Sequence, residues 1–167
     1  MRIKQLLMFG LLMITTGILF SCYKQHNDKS SASTHSSASR LFSLEQFNKS
    51  VKIIPMNRQI TKDKNNDEIT TMSYKIKNLS DKSIKSVYWD SIYIWNANSL
   101  YTHNFPITFE AKLNPQKEQI ISEMVLIKKL HESNQHLVKN PNNEIKVEII
   151  ARAIEFEDGS RIVIPDN

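Results

Sequence analysis

The fold class is decided by residues 69–95, which read ITTMSYKIKNLSDKSIKSVYWDSIYIW. Met72, Tyr74 and Ile76 alternate with polar residues, and this period of two is typical of a strand with one buried face. After a polar turn, residues 84–95 are dense in β-branched and aromatic side chains, which strands favour. The stretch therefore predicts two β-strands on either side of a short turn.

Similar patterns on both sides of this stretch predict five further strands and two short helices. A capping-box pattern favours a helix over residues 44–49, and helical spacing favours another within 126–138. Asp158-Gly159 is a hairpin turn signal. The further strands are predicted at residues 51–60, 105–113, 119–127, 145–156 and 161–164. Many short strands without βα alternation predict a mostly β, two-sheet antiparallel sandwich of about seven strands over residues 41–167.

A segment within residues 70–127 is similar to a known domain family. It reads Tyr74-x-Ile76-x-Asn78-x-Ser80-Asp81-Lys82-x-Ile84, and an aromatic-rich strand to Trp95 follows. This pattern resembles the small immunoglobulin-like domains of bacterial lipoproteins, of the FxLYD type. The segment Leu113-Asn114-Pro115 also resembles their leucine-proline-glycine turn, although Gln116 stands where glycine is usual. The resemblance implies an immunoglobulin-like antiparallel β-sandwich and says little about activity.

The first 22 residues have the pattern of an export signal. Arg2 and Lys4 precede an apolar run of 15 residues, Leu6–Phe20. A membrane-spanning helix needs about 20 apolar residues, so this run has the length of a signal-peptide core. The run ends in Leu19-Phe20-Ser21-Cys22, which resembles the lipobox of bacterial lipoproteins.

The lipobox resemblance implies that Cys22, the only cysteine of the chain, carries a lipid after residues 1–21 are removed. Residues 22–40 are polar and rich in serine, so we expect a flexible lipidated tether. Tyr23 rather than aspartate after the cysteine implies the periplasmic face of the outer membrane in a diderm host. If the host is a monoderm, we expect the domain on the outer face of the plasma membrane instead. The alternatives are an ordinary thiol after a standard signal peptide and an uncleaved membrane anchor.

Composition argues against nucleic-acid and nucleotide binding. The formal net charge is +5, and removal of Arg2 and Lys4 with the signal leaves 20 basic and 17 acidic side chains. A nucleic-acid binder concentrates Lys and Arg on one face, whereas here Lys alternates with Asp and Glu. Gly159 is the only glycine after the signal, and glycine-rich phosphate loops need several. We therefore expect no nucleic acid, no nucleotide and no cofactor.

No catalytic or metal-binding motif is complete in the sequence. Residues 63–67 have the opening spacing of a calcium loop, but Glu68 stands where that loop needs glycine. His131 and His136 are five residues apart, whereas the zinc-protease helix needs a spacing of four. The nucleophile motif Gly-x-Ser-x-Gly does not occur. We expect a non-enzymatic protein without catalytic or metal-ligating residues.

The aromatic strand at residues 84–95 holds the candidate partner-binding residues. Trp89, Tyr93 and Trp95 share one face of an extended strand, and the other face is also largely apolar. Either the tryptophan face packs into the core, or it forms an exposed patch for a protein partner. The second alternative makes Trp89, Tyr93 and Trp95 the candidate site, because Trp and Tyr dominate binding hot spots.

These patterns predict a lipid-anchored cell-envelope protein with a non-enzymatic binding or structural domain. Its lipid on Cys22 contacts the membrane, and its partner is an unknown envelope protein. One alternative is an inhibitor or immunity-type lipoprotein that binds a specific protein. A less favoured alternative is an envelope enzyme, which a deep pocket gathering His103, His131 or His136 with a carboxylate would support. Ligand carriage in a dry cavity between the sheets is a further option.

Overall fold

The computed structural model describes the backbone of residues 31–166 and the side chains of residues 37–166. The predictions for the signal at residues 1–21, for Cys22 and for the start of the tether lie outside the described residues. The elements are α1 (Ser31–Ser50), β1 (Val51–Lys62), β2 (Glu68–Asn78), β3 (Ile84–Trp95), β4 (Asn98–Leu113), β5 (Glu118–Leu126), a 3₁₀ turn (Ile127–Lys129), α2 (Glu132–Lys139), β6 (Lys146–Phe156) and β7 (Arg161–Val163).

The seven strands form two antiparallel sheets that face each other. One sheet has the order β1-β2-β5, and the other has the order β4-β3-β6-β7. The chain changes sheet after β2, after β4 and after β5. Such crossings are the Greek-key connections of immunoglobulin-type sandwiches. The prediction of a mostly β, two-sheet antiparallel sandwich of about seven strands is therefore confirmed.

An aromatic cluster joins the two sheets at the centre of the core. Trp89 on β3 stacks on Phe105 on β4, with ring centroids 4.9 Å apart. Tyr74 on β2 meets both rings edge-on, at 5.6 Å from Trp89 and 4.9 Å from Phe105. These three side chains are almost completely buried. Edge-on and stacked aromatic pairs contribute about 0.5–1.5 kcal/mol beyond the area that they bury, so this cluster is a principal contact between the sheets.

Helix α1 covers one open side of the sandwich. Phe47 is 3% exposed, and Leu44 packs beside it against the core. The predicted helix covered only residues 44–49, and the observed helix begins at Ser31, so residues 31–40 of the expected tether are helical in this structure. No glycine or proline interrupts α1, and extending an anchored helix costs less than nucleating one. The described residues include no helix with the length and apolar character needed to cross a bilayer.

Helix α2 covers one end of the sandwich and is held there by an arginine from β1. The guanidinium of Arg58 donates hydrogen bonds to the carbonyls of Val138 at 2.5 Å, Asn140 at 3.1 Å and Asn143 at 3.3 Å. Cations stabilise the carbonyl end of a helix because those oxygens have no partner within it. Val138 is completely buried in a second apolar cluster with Leu100 and Ile127. A short helix was predicted in this region and is found there.

Two tight turns place the long strand β4. Asn96 and Ala97 both have positive φ, 48° and 64°, and they connect β3 directly to β4. Strand β4 begins at Asn98, whereas the prediction began at Phe105, because the polar residues between them hid the strand in the sequence. At its other end, Pro115 and Gln116 form a turn closed by Lys117 N–H to Asn114 O at 3.1 Å.

Candidate functional site

The predicted aromatic partner site is largely inside the protein. Trp89 and Tyr93 are each 1% exposed. Trp95 is half-buried and packs against the second apolar cluster. This face of β3 turns toward Tyr74 on the facing sheet, so burial of the tryptophan face was the correct alternative. The prediction of an exposed patch of Trp89, Tyr93 and Trp95 is wrong.

The buried hydroxyl groups near these rings satisfy one another. The hydroxyls of Tyr74 and Tyr93 are 2.6 Å apart, and the indole Nε1 of Trp89 donates to Ser91 Oγ at 3.1 Å. Tyr101 stacks on Tyr93 with centroids 4.0 Å apart. Burial raises the pKa of Tyr74, Tyr93 and Tyr101 above the usual value for a phenol. These groups are therefore neutral at physiological pH and act as a satisfied polar network in the core.

The opposite face of the four-stranded sheet is directed outward, and we call it the outer face. One row of residues crosses all four strands by direct pairing: Pro106, Tyr88, Ala153 and Val163. Val163 is 56% exposed, and Tyr88, on the other side of Ala153 in this row, is partly exposed. The row therefore presents an aromatic ring and aliphatic groups on an open, four-stranded surface.

A buried carboxylate fixes an arginine on the outer face. Asp90 is 6% exposed and accepts hydrogen bonds from Asn104 Nδ2 at 2.5 Å and Arg152 Nε at 2.6 Å. Arg152 Nη1 also donates to Asp166 at 2.6 Å. The hydrogen bond to Asp90 raises the pKa of Arg152. A groove of about 490 Å³ borders this guanidinium and is lined in part by Tyr88.

Comparison with known protein families, with curated proteins and with solved structures finds no match to this chain. The outer face nevertheless has the residue types of a protein interface. Tyr and Arg are enriched at binding hot spots, and an arginine that is already oriented loses less side-chain entropy when a partner binds. Tyr88 and Arg152 are therefore the best candidates for partner contact in the described part of the chain.

The pair Asp90 and Arg152 was missed in the sequence, although a signal was present. Asp90 is the only charged residue within residues 87–95, and Arg152 is the only one within residues 149–154. A lone acid and a lone base in two apolar strands predict a pair when those strands are neighbours, because a charge in an apolar setting needs a partner. The adjacency of β3 and β6 was not visible before the fold was known.

A second concave surface, the lateral cleft, lies on the side of the sandwich where β4 and β5 are edge strands. Its volume is about 530 Å³. Near it, His103 Nε2 on β4 lies 2.8 Å from Glu123 Oε1 on β5, so a polar contact bridges the two sheets. The cleft is lined by Leu100, Tyr101, Thr102, His103, Met124, Val125, Leu126, Lys129, Leu130 and His131.

The structure brings two of the three singled-out histidines to this cleft. His103 and His131 line it, whereas His136 lies on the exposed side of α2 and does not. The ring of His131 is hydrogen-bonded through Nδ1 to Ser133 Oγ at 2.8 Å. Among the described residues, no group of three or more His, Cys, Asp or Glu side chains is arranged to hold a metal ion.

The Asp63 loop is held by its own hydrogen bonds. The Asp63 carboxylate accepts the backbone N–H groups of Asn65 at 2.8 Å and Asp67 at 2.9 Å. Asp67 pairs with Lys128 at 2.5 Å. These contacts explain the spacing of the acidic residues, because Asp side chains stabilise turns by hydrogen bonds to nearby backbone N–H groups.

Proposed function

We propose that this protein is a lipid-anchored protein of the bacterial cell envelope, whose β-sandwich domain binds another envelope protein without catalysing a reaction. A lipid on Cys22 holds the mature chain to the membrane, and the outer face of the four-stranded sheet receives the partner. The anchor is placed on the periplasmic face of the outer membrane in a diderm host, and on the outer face of the plasma membrane in any other host.

One observation carries the binding proposal. Arg152 is oriented by the buried Asp90 and stands beside Tyr88 and the 56%-exposed Val163. An interface of this kind combines apolar contact area with a charged donor whose direction is set before binding. The same chemistry suits an inhibitor or immunity-type lipoprotein, in which the partner is a single secreted or periplasmic protein.

The anchor proposal is supported by the order of residues at the amino terminus. A basic start, a 15-residue apolar run, a small residue and the chain's only cysteine follow one another. One acyl chain gives marginal membrane binding, and two or three hold a protein stably. The lipid would therefore keep the domain in the same envelope as its partner.

The anchor is tested by expressing the whole chain in a bacterial host, with and without Cys22→Ala. We expect the wild-type protein to lack residues 1–21, to carry added acyl mass and to fractionate with membranes. The Cys22→Ala protein should lack that mass and leave the membrane fraction. Wild-type protein that retains Met1, or that has an unmodified thiol at position 22, would refute the anchor.

The partner surface is tested by photo-crosslinking in the native envelope, with a photoreactive amino acid at position 88. The matched control places the same group at Met124, which is 66% exposed on the other sheet. We expect a discrete adduct from position 88 that Arg152→Met abolishes and that Arg161→Met, at an exposed arginine of β7, leaves intact. Equal adducts from both positions, or an adduct indifferent to Arg152→Met, would count against the outer face.

A further inference from the structure

We propose that the lateral cleft binds an amphiphilic anion, a small molecule with one apolar chain that ends in an anionic group. The cleft lies between the edge strands β4 and β5, away from the outer face, and the partner proposal does not use it. Three properties of the cleft suit such a ligand: its apolar side chains, the sign of its charge and its size.

Half of the ten residues that line the cleft have aliphatic or methionine side chains. Leu126 and Leu130 are half-buried, and Leu100 is 6% exposed in the second apolar cluster. Val125 continues this surface along β5, and Met124 stands at the mouth with 66% exposure. Flexible methionine side chains adapt to varied apolar groups. This apolar half of the lining suits a hydrocarbon chain, because it offers no side-chain hydrogen bonds to a polar group.

The lining residue that carries a formal charge is a base, Lys129, and no carboxylate is part of the lining. The imidazole rings of His103 and His131 add nitrogen atoms that can take part in hydrogen bonds. Glu123, the nearest acid in the facing edge strand, is engaged by His103 at 2.8 Å. Tyr101 is kept neutral because burial raises its pKa. A ligand with an anionic end therefore meets complementary charge in the cleft.

Lys129 is the clearest anion contact. It is exposed in the 3₁₀ turn and forms no ion pair within the described residues, whereas its neighbour Lys128 pairs with Asp67. An ammonium group is a compact charge with three donors, which suits a carboxylate or a phosphate oxygen. Lys129 is thus available to bind an anion, whereas Lys128, the preceding residue in the same turn, is already paired.

The size of the cleft fits a single-chain ligand. Small-molecule sites in proteins usually have volumes of about 300–1,000 Å³, and they combine apolar walls with a few polar groups that orient the ligand. The lateral cleft has about 530 Å³ and this distribution of groups. Each methylene transferred from water strengthens binding about four-fold, so even a medium chain gains substantially from the aliphatic walls.

The proposal is tested with the whole mature lipoprotein in nanodiscs of phosphatidylcholine, which carry no net charge. Binding of octanoate, octyl phosphate, octanol and acetate is measured by titration calorimetry, with empty nanodiscs as the reference. We expect saturable binding of an octyl anion, at least ten-fold weaker binding of octanol, and no binding of acetate. Tighter binding of octyl phosphate than of octanoate identifies phosphate as the favoured anionic group, and the reverse order identifies carboxylate.

Two matched pairs of variants locate the site. Lys129→Gln should weaken binding of the octyl anion at least five-fold and leave octanol unchanged, whereas Lys128→Gln should leave both unchanged. Met124→Glu should weaken the anion at least ten-fold by adding a like charge at the mouth. Ile120→Glu is its control, because Ile120 is 56% exposed on the same strand and lies outside the cleft.

The proposal is overturned by any of three results. Octyl anions that bind no better than they do to empty nanodiscs exclude the site. Equal affinities for octanoate, octyl phosphate and octanol exclude recognition of charge. Equal effects of Lys129→Gln and Lys128→Gln, or of Met124→Glu and Ile120→Glu, exclude the lateral cleft as the location. Thermal unfolding of each variant shows that the compared proteins are folded.

Discussion

At the scale of single residues, several residues other than glycine have the positive φ that glycine adopts most easily. Five described residues have positive φ, and only one of them, Gly159, is glycine. Asparagine tolerates this conformation, but Ala97 at 64° and Gln116 at 61° bear the steric cost that a β-carbon imposes there. Gln116 recovers part of that cost, because its side chain donates to Leu79 O at 3.0 Å. Ala97 has no such compensation.

Replacing Ala97 with glycine should therefore stabilise the protein. A left-handed L-residue costs about 1–2 kcal/mol, and the greater freedom of glycine in the unfolded chain returns roughly half of that gain. We expect Ala97→Gly to raise the free energy of unfolding by about 0.5–1 kcal/mol in urea titrations. Ala111→Gly is the control, since Ala111 is an exposed residue of strand β4, and it should lower stability by a similar amount. Loss of stability in both variants would contradict the strained turn.

The turn at Gln116 illustrates what single residues reveal before a fold is known. In the turn pattern that residues 113–116 resemble, glycine usually stands at the position of Gln116, and the backbone there has the positive φ that glycine favours. The conformation of a turn is local, so it could be anticipated from four residues. The choice between a buried and an exposed tryptophan face could not be made from the sequence, because the burial of Trp89 depends on Tyr74 in the facing sheet.

At the scale of elements, Arg58 determines how firmly α2 is attached. Its guanidinium joins β1 to three carbonyls at and beyond the end of the helix. Burial lowers the pKa of Arg58, because water no longer solvates the charge fully. The carbonyl oxygens replace that solvation, so removing the arginine leaves the last turn of α2 with unpaired acceptors.

We expect Arg58→Met to loosen α2 selectively. A hydrogen bond to a charged group contributes about 1.5–3 kcal/mol, and the short bond to Val138 O dominates here because the bonds to Asn140 O and Asn143 O are longer. Methionine keeps most of the apolar stem, so the local opening free energy of α2 should fall by about 2 kcal/mol. Amide hydrogen exchange would show faster exchange in residues 132–139, with much smaller changes in β3. The control Arg161→Met, on exposed β7, should leave both regions unchanged. Uniform acceleration across the chain would mean that Arg58 supports the whole fold instead.

The first and last residues of a strand or helix could be predicted where its pattern of apolar residues was strong. Strand β3 was predicted at residues 84–95 and is observed there, because β-branched and aromatic residues recur from its first residue to its last. The first half of β4 was missed, since Thr102 and Asn104 break the apolar pattern at the sheet edge. The full length of α1 was also missed, because its first turns bring no apolar face of their own.

At the scale of the whole molecule, one open side of the sandwich is covered by a helix and the other is not. Helix α1 contacts β1, β6 and β7 on one side, and Phe47 fills the space there with 3% exposure. The side between β4 and β5 retains the lateral cleft. The sequence predicted two sheets but did not predict which strands would form their edges, because strand order depends on contacts distant in the chain.

Phe47→Ala should therefore destabilise the whole domain. Replacing a buried phenylalanine with alanine costs about 3–5 kcal/mol, since it removes apolar contact and leaves a cavity. We expect a loss at the lower end of that range, because the helix can settle toward the gap. Phe42→Ala changes the same residue type in the same helix at 63% exposure, and it should alter the free energy of unfolding by less than about 0.5 kcal/mol. Equal effects in urea unfolding would show that α1 does not contribute to the core.

The edges of the two sheets have a consequence for copies crowded on a membrane surface, as the proposed anchor would arrange them. Unpaired edge strands invite neighbouring copies to pair and aggregate. The longest edge, β4, carries Pro106 near its middle, and β1 carries Pro55 at an irregularity in its pairing. Proline has no N–H to offer, and β7 is only three residues long. Three of the four sheet edges are thus poorly suited to pairing with a neighbouring copy, and the fourth, β5, carries the charged side chains of Glu118 and Glu123, which disfavour pairing there.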